Sequence, residues 1–274
     1  MPLYIIATPI GNLDDISFRA IETLKTVDLI LAEDTRHSKK LLNAYDITTP
    51  VKAFHEHNET AKTATIIATL LTGKNIALIS DAGTPLISDP GFVLVSEAKK
   101  AGITVSPIPG ASAIISAISS SGIASNQFTF FGFLPAKSTA RIKVIQSIAH
   151  LTETTIFYES PKRILACAND LLQILGNKRI VCFAKEISKS FETITTDTLP
   201  KIIDYLTADK AHQKGEFVII ISGIDKNDTV KGDAQLDKIL PILLTEMGAS
   251  KAAKIAAKIT NIDKKHCYQR AINL

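Results

Sequence analysis

The feature that most restricts the fold is a series of short, largely apolar runs, each followed by turn residues and a helix-like stretch. These are LYIIAT (3–8), VDLILA (27–32), NIALI (75–79) and ITVS (103–106). A strand with one wet face alternates apolar and polar residues with period two, so runs without that alternation are read as buried on both faces. Helical patterns lie between them. One follows Ser17, a good N-cap, with Ile21 and Leu24 apolar; one spans 60–72 and stops at Gly73; one spans 91–101 and stops at Gly102. Strand–helix–strand alternation of this kind predicts a parallel sheet with helices on both sides.

The pattern changes after about residue 125. Five further strands are predicted at 127–131, 154–158, 179–183, 192–195 and 217–222, with helices near 139–149, 162–175 and 199–207. Phe191–Thr195 alternates, as an antiparallel strand with a wet face does. The expected fold class is therefore α/β in two domains. An N-terminal domain with a parallel sheet (1–113) is joined through the Ser-rich helix 111–121 to a second domain with a mixed sheet (114–224). The polar stretch 224–235 reads as a linker to a small helical tail (233–274), with helices at 236–247 and 250–259.

Charge sets the tail apart. The chain carries 31 Lys and Arg against 27 Asp and Glu, a net +4. Nine basic and five acidic residues lie from Lys226 onward, so the whole excess sits there. Lys251, Lys254 and Lys258 share a helical face while Ile255 and Ile259 are expected to face a core; such a stripe suits a polyanion, or is a solvated face. No apolar run approaches the ~18 residues of a membrane span. The N-terminus has no basic segment ahead of its apolar stretch, and three cysteines without a CxxC pair offer neither a disulfide framework nor a zinc knuckle. The expectation is a soluble, cytoplasmic protein without metal.

Candidate chemistry clusters where strands end. SDAGTPLISDPG (80–91) follows a strand and opens a helix, at the sheet edge where open α/β folds bind ligands. Gly83 permits close approach, and Asp81 and Asp89 offer acceptors to a ribose or an amine. PIPGASA (107–113) follows the next strand, with small residues and Ser112. AEDTR (32–36) emerges at the same edge. HEHNE (55–59) is the densest titratable cluster and serves either as a polar helix start or in gripping an anionic substrate or transferring a proton. It lacks HExxH spacing, and neither GxGxxG after the first strand nor a P-loop nor GxSxG is present.

Nine ordered segments carry a family resemblance: ATPIGNLDDIS (7–17), AEDTRHSKKLL (32–42), HEHNE, SDAGTPLISDPG, PIPGASA, FxGFLP (130–135), FYESPKR (157–163), AKEISK (184–189) and KGEF (214–217). With these the chain resembles the ribosomal RNA small subunit methyltransferase I family, within the tetrapyrrole-methylase (class III) fold, over essentially its full length. Lys162 stands where the family pattern has His, and Ser38 where Thr is common.

The resemblance implies S-adenosylmethionine-dependent 2′-O-methylation of a cytidine ribose in the decoding region of small-subunit rRNA, free or in the assembled subunit. It implies a cofactor cleft between the two α/β domains, held by Asp81, Ala82, Gly83, Thr84 and Pro85 with Ser112, and walled by Tyr158, Glu159 and Pro161. It implies a homodimer, since the fold family commonly pairs. A ribose hydroxyl is a poor acid, so an acceptor for its proton is needed. Among Glu33, Asp34, Arg36, His55 and His57, the expected roles are Asp34 or His57 as proton acceptor and Arg36 as a grip on phosphate. Methylation of a porphyrin-like precursor on the same fold, or a ribosome-binding module without activity, are the alternatives. AEDTR, HEHNE and the basic tail disfavour the first, and the intact 80–91 loop disfavours the second.

Overall fold

A computed structural model describes residues 2–149, 151–224, 230–260, 262 and 264–274. The first sheet holds β1 (Pro2–Ile6), β2 (Leu29–Ala32), β3 (Val51–Ala53), β4 (Ile76–Ile79) and β5 (Thr104–Ile108), in the order β3-β2-β4-β1-β5. Every neighbouring pair in it is parallel. Helices α1 (Phe18–Thr26) and α2 (Thr35–Ala44) cover one face, and α3 (Glu56–Leu71) and α4 (Phe92–Lys100) the other. In β4, Ala77 and Ile79 pack with α1 and α2, whereas Ile76 and Leu78 pack with α3 and α4. Both faces are covered, which is why this strand shows no polar alternation.

Ser17 caps α1 by accepting from the Ala20 N–H at 3.1 Å. Two elements of this domain, α2 and β3, escape the apolar pattern. In α2 the buried side chains are Ser38, Leu41 and Leu42, and β3 is three residues long. Helix α3 begins at Glu56, not at residue 60, because its first turn is polar.

Helix α5 (Ala113–Ser120) leads into the second sheet: β6 (Phe128–Phe133), β7 (Thr154–Glu159), β8 (Ile180–Lys185), β9 (Thr193–Thr198) and β10 (Phe217–Ile221). The order is β6-β7-β10-β8-β9, with β6 parallel to β7 and the other pairs antiparallel. Helices α6 (Ser138–Ile148), α7 (Ile164–Leu175) and α8 (Leu199–Ala208) bury Phe157, Val181, Phe183, Ile219 and Ile221 on one side. On the other, α5 packs Ile114, Ala117 and Ile118 against Ile156, Cys182, Val218 and Ile220.

The tail has its own core, built from Leu236, Leu240, Ala252, Ala253, Ala256, Cys267 and Ala271. It contains three helices rather than two: α9 (Val230–Glu246), α10 (Ala249–Thr260) and α11 (Lys264–Ile272). Helix α9 therefore starts inside the stretch read as a linker, of which 225–229 lie outside the described residues. The core face of α10 is alanine; Ile255 and Ile259 are 36% and 49% exposed, on the lysine side. Among the described residues no helix is long and apolar enough to cross a membrane.

Candidate active site

Strands β1 and β4 are neighbours, and the helices that follow them, α1 and α4, lie on opposite faces of the sheet. This arrangement leaves a crevice at their C-terminal ends. The two loops are stitched together there. Thr8 and Gly83 exchange backbone hydrogen bonds of 2.9 and 3.0 Å, and the buried Thr8 hydroxyl donates to Ser80 O at 3.1 Å. Gly83 has φ +79°, a left-handed conformation that favours glycine, and a Cβ there would meet Ile10 Cγ2 at 3.4 Å. Thr84 Oγ1 donates to Ala111 O at 3.3 Å, tying 80–91 to the segment after β5.

The far end of the loop is anchored by Glu59. This buried carboxylate accepts from the N–H groups of Gly91, Val93 and Leu94 at 3.1, 2.8 and 3.3 Å, at the positive end of α4. Between the anchors, Leu86 and Ser88 are held at φ +73° and +68°, conformations rare for residues with side chains.

A cavity of about 520 Å³ opens above this loop, within the size range of small-molecule sites. Its N-terminal wall includes Glu33, Asp81, Ala82, Gly83, Thr84 and Asp89, with Ser112 beside them. The second domain contributes Tyr158 and Glu159 at the end of β7 with Ser160 and Pro161 beyond it, Glu186, Ile187 and Lys189 after β8, and Glu216 before β10. Pro85, grouped with the cofactor loop from the resemblance, is buried and outside the lining. Phe133 and Phe130 pack on the Tyr158 ring at centroid distances of 5.4 and 5.0 Å.

The charged groups differ in what holds them. Asp34 caps α2 through the Arg36 N–H at 2.8 Å and pairs with the Arg36 guanidinium at 2.9 Å. Its carboxyl is held well below the ordinary range by those two bonds. The Arg36 side chain is 89% exposed and, like Asp34, is not part of the cavity lining. His57 is exposed. His55 and Asn58 bond each other at the start of α3, backbone to side chain at 3.1 Å and ring to amide at 2.9 Å. Asp81 accepts the Asp34 N–H at 3.0 Å, joining the ends of β2 and β4. Burial, then the charge of Asp81, pushes the Glu33 carboxyl up. Burial, then Glu33, pushes Asp89 up to about 6, partly offset by the Ser80 hydroxyl. Burial and the Asp89 charge push the Tyr158 phenol up to about 12.

Across the cavity, Glu159 is ion-paired with Arg163 at 2.6 Å, while its buried Oε2 lacks a hydrogen-bond partner. Lys189 bridges Glu186 and Glu216 at 3.0 and 2.9 Å. Glu186 and Ser188 are held at φ +51° and +68°. The Ser188 hydroxyl also bonds Asp15 of the N-terminal domain, and a Cβ on Gly11 would overlap the Lys189 side chain. The loops of the two domains are thus in direct contact beside the cavity. Among the described residues no cluster of three His, Cys, Asp or Glu side chains suits a metal.

Sequence reasoning left Ile10, Phe133, Glu186, Lys189 and Glu216 without individual roles. The AKEISK and KGEF segments that hold the last three were visible as family motifs. Glu59 stood within HEHNE, but its service to a different helix depends on tertiary packing.

Comparison with known proteins accounts for this architecture. The family described as Tetrapyrrole (Corrin/Porphyrin) Methylases matches residues 2–203, and the RsmI C-terminal HTH domain matches 230–274. A Haemophilus influenzae protein named Ribosomal RNA small subunit methyltransferase I is 49% identical over 97% of this chain and 95% of its own length. A Pseudomonas aeruginosa protein of the same name is 45% identical over 98% and 96%. In fold, the methyltransferase CobJ superposes with TM-score 0.59 over 81% of this chain and 93% of its own, at 14% identity. The uroporphyrin-III-C-methyltransferase of Thermus thermophilus superposes at 0.54 over 81% and 94%, also at 14%. The two sheets, the loop-built cavity between them and kinship over nearly the whole length lead to one conclusion: this chain belongs to the ribosomal RNA small subunit methyltransferase I family, on the tetrapyrrole-methylase fold.

Proposed function

We propose that the protein transfers a methyl group from S-adenosylmethionine to the 2′-hydroxyl of a cytidine ribose in the decoding region of small-subunit rRNA, in the cytoplasm and as a homodimer. The observation that carries this reading is the cavity between the two domains, with Gly83 and Ala82 in its floor and carboxylates on both walls. Its donor set fits the cofactor. Carboxylates at Glu33, Asp81 and Asp89 suit ribose hydroxyls and a cationic head, and the space that a Gly83 Cβ would fill suits a close-packed ring. Asp81, Ala82, Gly83, Thr84 and Ser112 would hold it from the N-terminal domain, and Tyr158, Glu159 and Pro161 from the second. When bound, it supplies the methyl group as an electrophile on a sulfonium.

The chain's own task is to bind, orient and deprotonate. The strained 86–88 and 186–188 segments fix the walls before ligand arrives, which reduces the ordering cost of an in-line approach. The acidic lining suits a cation and disfavours phosphates, so the RNA backbone is expected outside the cavity, with one ribose presented at its mouth. Arg36, exposed at the N-terminus of α2, is a phosphate contact in this reading, and Asp34 keeps it oriented. The lysine face of α10 is a second.

Incubation with labelled S-adenosylmethionine and small ribosomal subunits, naked small-subunit rRNA or a tetrapyrrole precursor tests the reading. Label is expected in a cytidine 2′-O-methyl group of the RNA. Label in the tetrapyrrole, or in neither, would overturn it.

A further inference from the structure

Strand β8 passes into β9 through residues 186–192, and this turn forms part of the cavity rim, since Glu186, Ile187 and Lys189 line it. The turn is held from within. The Lys189 N–H donates to Glu186 O and the Glu192 N–H to Lys189 O, each at 3.0 Å, and the Glu192 carboxylate accepts the Ser188 N–H at 2.7 Å. It is held from outside by Lys189, which bridges Glu186 and Glu216, and by the Ser188 hydroxyl on Asp15. Positive φ at Glu186 and Ser188 leaves the backbone little freedom. Ile187 and Ile194 pack against the core that contains α5. Phe191 does the reverse: it is 75% exposed and belongs to none of the cores among the described residues.

A single exposed apolar side chain is common on protein surfaces. This one is large, aromatic and mounted on a rigid turn. Two residues span at most about 7 Å, so its Cα lies within that distance of the lining residue Lys189. Size and charge decide what reaches this rim. A cavity of about 520 Å³ takes one small molecule, the cofactor in the reading above, so a nucleotide can offer its ribose at the mouth but must leave its base outside. Glu186, Glu192, Glu216 and Asp15 surround the turn, whose lysine is already shared by two of them, and they disfavour a phosphate there. A neutral nucleobase is not repelled, and splayed RNA bases are held largely by stacking on aromatic side chains.

We propose that Phe191 is a substrate-positioning residue: its ring stacks on the nucleobase of the target nucleotide, outside the cavity, and so aims the 2′-hydroxyl inward. The inference rests on the rRNA methyl-transfer reading above. Every base has a stacking face, so Phe191 places the nucleotide and leaves the choice of cytidine to other groups.

The test uses the full-length protein with small ribosomal subunits, comparing wild type with Phe191→Ala, Phe191→Leu and Phe191→Tyr. Phe191→Ala is expected to lower kcat/KM for subunits by about 10-fold or more, the effect of one lost base stack. Phe191→Leu restores apolar area but no ring and should stay about as impaired, whereas Phe191→Tyr should return to within about threefold of wild type. Affinity for S-adenosylmethionine by calorimetry should stay within about threefold in all three, because the side chain is exposed and outside the lining. The chain contains no tryptophan, so Phe191→Trp supplies a single reporter. Its emission should be quenched as protein-free small-subunit rRNA is added.

A kcat/KM for Phe191→Ala within about threefold of wild type, full recovery in Phe191→Leu, or unquenched emission at saturating rRNA would each overturn the proposal. So would a Phe191→Ala protein that turns from dimer to monomer in light scattering, since the ring would then be a contact between two copies of the chain. Parallel loss of cofactor affinity would make Phe191 part of the cofactor site and overturn it equally. Wild type that methylates no ribose sinks the rRNA reading itself and this proposal with it, an outcome distinguishable from failure confined to the variants.

Discussion

Gly83 sits at φ +79° with Ile10 Cγ2 3.4 Å from the place of a Cβ, in a turn bonded to Thr8 on both sides. Valine there would force a β-branched residue into the left-handed region and fill the cavity floor. Gly83→Val is expected to raise the dissociation constant for S-adenosylmethionine at least about tenfold, equal to roughly 1.4 kcal/mol, measured by calorimetry. Undiminished affinity would place the cofactor elsewhere. The type of chemistry at this scale was legible: a Gly/Pro-rich loop with two aspartates at a strand end names a ligand site. The pairing of the charges was not. Asp34 and Arg36 look like free catalytic groups in one dimension, yet the N-cap geometry of α2 turns them toward each other. Glu33 and Asp89 come together because β2 and β4 are adjacent in parallel register, which no local pattern encodes.

Among the elements, strands were easiest to read because burial on both faces leaves an apolar run, and the mixed second sheet followed from the alternation in Phe191–Thr195. Helix α2 and the first turn of α3 were hidden because they are polar elements that bury few side chains. The tail misled in a different way: isoleucines signal a core, but α10 packs through Ala252, Ala253 and Ala256 and leaves Ile255 and Ile259 out beside its lysines. An alanine face lets neighbouring helices approach closely, which frees the larger apolar residues for another surface. Lys251, Lys254 and Lys258 are all exposed on α10, and the helix carries no acidic residue to neutralise them. Replacing the three with Gln should leave cofactor affinity unchanged, weaken binding to small ribosomal subunits, and flatten the log–log salt dependence by roughly 2–3, at about 0.7–0.9 per lost phosphate contact. An unchanged slope in a filter-binding titration would make this face a solvated one.

At the scale of the molecule, β6 is an outer strand of the second sheet among the described residues and carries Phe128, Phe131 and Phe133 at 40%, 41% and 57% exposure, the last of them lining the cavity. An apolar edge strand left open invites pairing with another chain. Light scattering should therefore return twice the 29.6 kDa chain mass at micromolar concentration, and a monomer would defeat the dimer. Folding energetics divide the chain differently from function. The two sheets are bound into one body through α5 and through the contact of Asp15 with Ser188, whereas the tail keeps a separate core, with seven buried residues among those described. A unit of 45 residues, 230–274, has little surface to bury and is marginal alone. Two heat-absorption transitions are thus expected in calorimetry, with the smaller one belonging to the tail. S-adenosylmethionine touches both walls of the cavity and neither helix face of the tail in the proposed arrangement. At a hundred times its dissociation constant it should stabilise the body by about 2.7 kcal/mol, or roughly 5–10 °C for a body of about 200 residues, and leave the tail transition in place. If both transitions climb together, the tail is coupled to the cofactor site, and its lysines belong to the machinery of methyl transfer, no longer to a separate grip on RNA.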